Sequence, residues 1–474
     1  MNTDTIAAIA TPSGVGGIGI IRISGPDALR IAANLFRAGP SNPYGDESGT
    51  GIRPGGPFLS HRMYYGHVVD PVTGIPVDEV LLAVMRAPRS YTRQDVVEIQ
   101  AHAGVAVLRR VLELVLRQGA RMADPGEFTQ RAFFNGRIDL TKAEAVIDVI
   151  NARTQTALTI ATQQAAGRLT RAVENIRSLL LELLVSIEAA IDFPDDVSEI
   201  LSAGDLAAQL QHPVAALVTE LMGRYEQGRI YRDGLKLVIV GRPNVGKSSL
   251  LNRFLERERS IVTAIPGTTR DFVEDSFQVQ GVPVTVTDTA GLHDAADPIE
   301  KIGMSNTKRC LETADLILLV IDGSEELTGD DRRIFNICAG KPIIVAVNKI
   351  DLAGDRKDVA TVLPVEWAAA TTIEISALYG DGIEDLKAHI AAAAGAMPHD
   401  PQHHDAIPNL RHQQALEKCH HHVMTAIKGL RDHQTSELVA IDIREAVGCC
   451  DEILGRGVTP DILEQIFSRF CIGK

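Results

Sequence analysis

Gly241-Arg242-Pro243-Asn244-Val245-Gly246-Lys247-Ser248 has the spacing G-x-x-x-x-G-K-S. It follows an apolar, strand-like run at 237–240 and opens a helical run at 249–254. That strand–loop–helix setting is what a phosphate-binding loop requires. Its glycines let backbone N–H groups close around phosphates, and the helix N-terminus adds a favourable dipole. Lys247 would reach the β- and γ-phosphates, and Ser248 would ligate Mg2+. A chance glycine turn can give the same spelling, so the partner motifs carry the decision.

Three partner motifs follow, each ending a strand-like run. Asp288-Thr289-Ala290-Gly291 ends the run at 284–287; its Asp can hold Mg2+ through water and its Gly N–H can sense a γ-phosphate. Asn348-Lys349-Ile350-Asp351 ends the run at 343–347. The Asp351 carboxylate can accept from both N1–H and the exocyclic amine of guanine. Adenine offers no such pair, so a buried Asp351 would be left unpaired against ATP. Ser376-Ala377-Leu378 ends the last strand and would close over the base. Between the first two motifs, Gly267-Thr268-Thr269-Arg270-Asp271 supplies Thr269 to complete the Mg2+ shell. The site expected from these motifs also includes Ser249 of the phosphate loop. Carboxyl ends of strands are where open α/β sheets bind ligands.

Leu292 stands where many GTPases place the glutamine that orients the attacking water. Leucine cannot do that. His293, Asp294, Asp297 and Glu300 are all near enough to replace it, and spacing does not choose among them. No arginine finger stands out; Arg270 is a weak contender.

The flanking sequence divides by character. Residues 1 to about 130 contain strand-like runs at 18–23, 80–85 and 96–100 and a helical run at 105–117, an α/β pattern with a Gly/Pro/Ser-rich surface loop at 39–57. From 140 to 191 and from 202 to 231 the apolar spacing is helical, interrupted at Pro194. From 235 the βαβ rhythm implies a mainly parallel, doubly wound sheet. It fades after Ile390 into an Ala/Pro/His-rich linker at 391–408, and a helical tail closes the chain. The expected domains are 1–137, 138–233, 234–397 and 398–474, the third inserted between two halves of a helical domain.

With 474 residues the chain has material for about three domains. A net charge of −14 excludes a protein coated in basic surface, though not a local basic patch. No apolar run is long enough to cross a bilayer, and the N-terminus lacks a signal peptide's basic start. Six cysteines at scattered positions make no disulfide framework and fit a reducing cytoplasm.

Ala10-Thr11-Pro12 with Gly16-Gly17-Ile18-Gly19-Ile20-Ile21-Arg22-Ile23-Ser24-Gly25, Pro125-Gly126-Glu127-Phe128-Thr129 and the terminal Cys471-Ile472-Gly473-Lys474, together with the GTPase motifs, resemble the MnmE (TrmE) family of tRNA uridine-modification GTPases. The resemblance covers the whole chain. It implies an N-terminal tetrahydrofolate-binding and dimerisation domain, a helical domain, and a G domain inserted into it. It also implies a homodimer acting with the flavoprotein MnmG (GidA), as a heterotetramer, on carbon 5 of the wobble uridine of tRNA. A 5-formyl- or methylene-tetrahydrofolate would supply the one-carbon unit.

The resemblance implies further roles. Asn244 would ligate K+, with oxygens added by Thr263, Ile265 and Thr268 of the loop Thr263-Ala264-Ile265-Pro266-Gly267-Thr268. A monovalent cation there would do an arginine finger's electrostatic work. Glu300, ahead of Lys301-Ile302-Gly303, matches the family's catalytic glutamate. Arg22, Glu98, Arg137 and Lys474 match the folate-contacting positions. On its own, Glu98 reads as an ordinary strand residue facing solvent.

His420-His421-His422, with His403, His404 and His412, matches no zinc spacing and reads as a solvated helix face. Cys449-Cys450 reads as structural. A second class of function, an RNA-binding or ribosome-assembly switch without folate, competes with tRNA modification. The N-terminal and C-terminal motifs favour modification.

Overall fold

The computed structural model describes residues 4–12, 14, 16–39, 58–192, 202–256, 274–288, 310–352, 363–393, 395 and 406–474. Its chain groups into two units, Met1–Ile147 with Asp451–Lys474, and Asp148–Cys450.

The first unit holds β1 (Ile6–Ile9), β2 (Ile18–Ser24), α1 (Ala28–Leu35), β3 (Phe36–Ala38), β4 (Arg62–Val69), β5 (Pro76–Met85), β6 (Val96–His102), α2 (Val105–Arg117), β7 (Arg121–Met122) and α3 (Glu127–Phe134). The strands form one sheet in the order β3-β4-β5-β6-β2-β1-β7. Because strand side chains alternate between faces, Ile21, Ile23, Val97 and Ile99 enter one core with Leu108, Val111 and Leu114 of α2. Arg22 and Glu98 fall between them and share the opposite face. The chain's last helix, Pro460–Phe467, packs Leu463 and Phe467 with Leu140 and Phe470. This packing brings the C-terminus to the N-terminal sheet.

The helix α4 (Leu140–Asn151) leads out of the first unit. The helical stretch expected at 140–191 is three helices: α4, α5 (Gln155–Ala165) and α6 (Arg168–Asp192). Gly167 at φ 84° makes the break before α6, in a backbone region that favours glycine. Next come α7 (Ala203–Gln209) and α8 (Ala216–Asp233), joined by a π-helical segment around Pro213.

The nucleotide-type sheet is built from β8 (Leu235–Val240), β9 (Glu274–Val279), β10 (Val282–Asp288), β11 (Leu316–Asp322), β12 (Ile343–Asn348) and β13 (Thr371–Glu374), in the order β13-β12-β11-β8-β10-β9. Only β9 runs antiparallel to its neighbour. Every residue of β11 is buried. Leu316, Leu318 and Val320 enter one core and Ile317, Leu319 and Ile321 the other, as a strand covered on both faces requires. The helices here are α9 (Lys247–Glu256), α10 (Gly329–Cys338) and α11 (Ile383–Ala393). Ala391–Ala393, expected in a linker, are helical, and Ala391 is buried in the core.

After this come α12 (Leu410–Arg431) and α13 (Ser436–Leu454). α12 packs against α7 and α8, so the sheet of this unit is inserted between helices that pack on each other. His412, grouped with the solvated histidines in the sequence, is buried and completes a capping box with Asn409 at the start of α12. Among the described residues no group of three His, Cys, Asp or Glu could hold a metal ion, and no helix is long and apolar enough to cross a membrane.

Candidate nucleotide site and a second polar cluster

The phosphate-type loop joins β8 to α9. Its geometry depends on two glycines. Gly241 has φ 152°, and a Cβ there would stand 2.3 Å from the Val320 carbonyl oxygen on β11. Gly246 has φ 100°, and its Cβ would stand 2.2 Å from the Asn348 amide nitrogen. Any side chain at either position forces the backbone of the loop away. Asn244 also takes a left-handed conformation, φ 64°, which asparagine tolerates better than most residues. The Lys247 ammonium is buried and donates to the Gly241 and Arg242 carbonyls, each at 2.8 Å. These bonds hold it across the mouth of the loop. Ser248 and Ser249 are exposed at the first turn of α9, where helix N–H groups have no intrahelical acceptor.

Asn348 is the hub of the base side. Its Nδ2 donates to the Val245 carbonyl at 2.8 Å, and its Oδ1 accepts from the Ala377 N–H at 2.9 Å. One buried amide thus ties the phosphate loop to the 376–378 loop. Asp351 Oδ1 accepts from the Ser376 hydroxyl at 2.6 Å. Lys349, at φ 66°, extends its ammonium to Asp322 Oδ2 at 2.6 Å. Burial pushes the Asp322 carboxyl up. Lys349 and two Ser324 donors outweigh that and hold it below the ordinary carboxylate value.

Arg242 Nε donates to Asp331 Oδ1 at 2.8 Å, and Asp331 is itself buried in the capping box that starts α10. The phosphate loop is therefore anchored on α10 as well as on Asn348 at the end of β12.

Asn244, Val245, Gly246, Lys247, Ser248, Ser249, Asn348, Lys349, Ile350, Asp351, Ser376, Ala377 and Leu378 thus cluster at the carboxyl ends of β8, β12 and β13. Asn348 lies behind the loops and Leu378 is 66% exposed at their rim. Asp288 ends β10 in parallel register with β8. Thr263, Ala264, Ile265, Pro266, Gly267, Thr268, Thr269, Thr289, Ala290, Gly291, Leu292 and Glu300 lie outside the described residues, as does the 40–57 part of the expected surface loop.

The second cluster is in the first unit. Arg22 and Glu98 are register partners on β2 and β6, and Arg22 Nε donates to Glu98 Oε1 at 2.8 Å. Both are mostly buried, so the solvent-facing reading of Glu98 is corrected: the sheet face opposite the core is covered by other side chains. Arg22 Nη1 donates to the Gly473 carbonyl at 3.0 Å, and the Lys474 carbonyl accepts from the Phe128 N–H at 3.2 Å. The Arg22 guanidinium lies 5.7 Å from the Phe128 ring centroid. Arg137 donates to the Ser90 carbonyl at 2.9 Å and lies 4.9 Å from the Tyr91 ring centroid. Segments separated by up to 451 residues in sequence converge here.

Tyr91, Phe128, Asp322, Asp331 and Arg253 were not expected from sequence. Asp322 had a readable signal, a carboxylate ending a strand beside those that carry the other motifs. Tyr91 had none, because only the fold brings it under Arg137.

A family model described as the MnmE helical domain matches residues 140–471, and one described as the GTP-binding protein TrmE N-terminus matches residues 5–137. The chain is 46% identical over 473 residues to a protein of Geobacter sulfurreducens named tRNA modification GTPase MnmE, covering 99% of each chain. It is 44% identical to proteins of the same name from Geobacter metallireducens, over 99% of each chain, and from Syntrophus aciditrophicus, over 100% of each chain.

Proposed function

The chain belongs to the MnmE family of tRNA modification GTPases, and from that premise we propose that it couples GTP hydrolysis to modification of wobble-uridine carbon 5 in tRNA, using a tetrahydrofolate one-carbon donor. The observation that carries the folate reading is the Arg22–Glu98 pair beside the C-terminal Gly473 carbonyl. A carboxylate pairs with the amine edge of a pterin, and an arginine with a folate carbonyl or carboxylate. Arg137 and Lys474 complete the set. The partners in this reading are a second copy of the chain, as a homodimer, the flavoprotein MnmG (GidA) and tRNA. The compartment is the cytoplasm.

In the nucleotide site the chain's own residues bind and orient. The helix N-terminus and Lys247 hold phosphates, Asp351 selects guanine, and Glu300 orients the attacking water. The donors available to cations are oxygens, which suits hard ions. Ser248 and Thr269 would hold Mg2+; Asn244, Thr263, Ile265 and Thr268 would hold K+. These ions would supply positive charge where negative charge develops on the phosphates. The domain boundaries 1–137, 138–233, 234–397 and 398–474 belong to the same proposal.

The test has two arms. Wobble nucleosides from cells lacking the chain are analysed by mass, and the purified chain is titrated with a tetrahydrofolate derivative. Loss of the carbon-5 modification and saturable binding are expected. Intact nucleosides with no folate binding would favour an assembly switch instead.

A further inference from the structure

We propose that Arg253 is a positioning residue that fixes the loop closing over the base and so sets how long guanine nucleotide stays bound. The inference rests on the nucleotide-site reading above and deepens it.

Arg253 lies on α9, the helix whose first turn carries Lys247 and Ser248. Its Nε donates to the Ala377 carbonyl at 3.1 Å, and its Nη2 donates to the Leu378 carbonyl. The two carbonyls are consecutive, so one planar guanidinium fixes two peptide planes together. In a trans peptide the N–H points opposite to the C=O. With the Ala377 and Leu378 carbonyls turned toward Arg253, the Leu378 and Tyr379 N–H groups are turned away from it. The Tyr379 N–H accordingly donates to the Ser376 hydroxyl at 3.2 Å. That hydroxyl is the group that donates to Asp351. The chain of contacts therefore runs from Arg253 through the loop backbone to the carboxylate that would select guanine.

The rest of the loop shows why it needs this hold. Ser376 and Ala377 are buried, but Leu378 is 66% and Tyr379 69% exposed, so the loop's far side has little packing of its own. Asn348 holds its near side through the Ala377 N–H. Arg253 holds its carbonyl side with charge-assisted bonds, the stronger kind. Six helical steps lead from Lys247 to Arg253, about 9 Å of rise. One rigid helix thus connects the phosphate end of the site to the base end. A residue in this place acts on binding of the base and leaves the phosphate chemistry alone.

The experiment measures release of a fluorescent GDP analogue and single-turnover cleavage of GTP by the full-length chain. Arg253→Ala should release nucleotide about tenfold faster and raise the KM for GTP by a similar factor. Single-turnover cleavage at saturating GTP should stay within about twofold. Arg253→Lys keeps the charge but loses the fork, so it should restore part of the residence time. Arg253→Gln serves if the alanine variant fails to fold, with the same direction expected. Wild-type release rates in the alanine or glutamine variant would overturn the proposal, and so would a fall in single-turnover rate at unchanged KM. Asp351→Asn, run in parallel, tests the underlying site. If it loses guanine selection while Arg253→Ala behaves as wild type, the site stands and the role of Arg253 falls.

Discussion

Arg22 on β2 and Glu98 on β6 face each other across an antiparallel pair, and the Arg22 Nε donates to the Glu98 Oε1 at 2.8 Å. The same arginine reaches the Gly473 carbonyl, so the pair joins the N-terminal sheet to the end of the chain. A ligand entering this cluster meets an arginine and a carboxylate that already orient one another. We expect Glu98→Ala to weaken tetrahydrofolate binding by about 10- to 100-fold, the range for losing a charged hydrogen-bonding partner. GTP affinity should hardly change. Calorimetric titration with each ligand decides; folate binding at wild-type strength removes Glu98 from the site.

Guanine selection should follow Asp351. Its carboxylate already accepts from Ser376 at Oδ1, which fixes its rotamer; each oxygen keeps a free lone pair, so both can still accept from the base. Asp351→Asn should lose about 10- to 100-fold in GTP affinity and gain XTP binding, because an amide cannot accept both guanine donors. Competition among GTP, ATP and XTP checks this. An unchanged preference for GTP counts against the assignment.

Hydrolysis should depend on the monovalent cation. Leu292 cannot orient water, and the oxygens proposed around Asn244 suit K+ better than the smaller Na+. Turnover should be much faster in KCl than in matched NaCl, and Asn244→Ala should abolish that difference while sparing nucleotide binding. Glu300→Ala should slow cleavage in either salt with K+-dependent dimerisation retained. Steady-state rates and dimerisation with a transition-state mimic are the readouts. Equal wild-type rates in both salts would sink the cation role, and a fully active Glu300→Ala would sink that of the glutamate.

Acid should loosen the first unit through Glu127. Its buried carboxylate receives Arg121 Nη2 at 2.7 Å and Arg131 Nη2 at 2.9 Å, and Asp4 pairs with both arginines. Burial by itself raises the Glu127 carboxyl, but the bonds from Arg121, the Asp124 N–H and Arg131 outweigh it and hold it below its ordinary value of 4.5. A depressed carboxyl contributes stability that is fully present above the unfolded value. That contribution is lost as pH falls through the lower folded value. Protection of the β1 and α3 amides, taken relative to the intrinsic exchange rate at each pH, should therefore fall below about pH 4.5. Glu127→Ala should lower that protection at neutral pH too, because the buried Arg131 loses one of its two carboxylate partners and keeps only the half-exposed Asp4, a loss of about 1.5–3 kcal/mol for a charged hydrogen bond. Protection in β1 and α3 that ignores both changes would refute the network's role.

Much of this was legible in sequence, and the reason is local. The phosphate loop, the three strand-end motifs and the helical run at 105–117 are set by neighbours in the chain: a glycine where φ must be positive, apolar residues at the period of a strand or helix. Such signals need no partner from elsewhere. Their boundaries were less legible. Residues 391–393 resemble a linker in composition, yet burial of Ala391 keeps them helical. The short strands β1, β3 and β7 carry too few residues to show a period, and pairing with neighbours makes them strands.

The sequence by itself determined that this chain carries a guanine-nucleotide site and to which family its motifs belong, because the reactive loops are short contiguous segments. Tertiary structure decided what the sequence could not. It turned Glu98 from a solvent-facing strand residue into the ion-pair partner of Arg22. It gave Lys349 the carboxylate of Asp322, and gave the base-side loop the guanidinium of Arg253. Each of these contacts joins residues distant in the chain. Their energy comes from pairing charge in partly buried surroundings, and only packing brings the partners together and limits the solvent that would otherwise satisfy them separately.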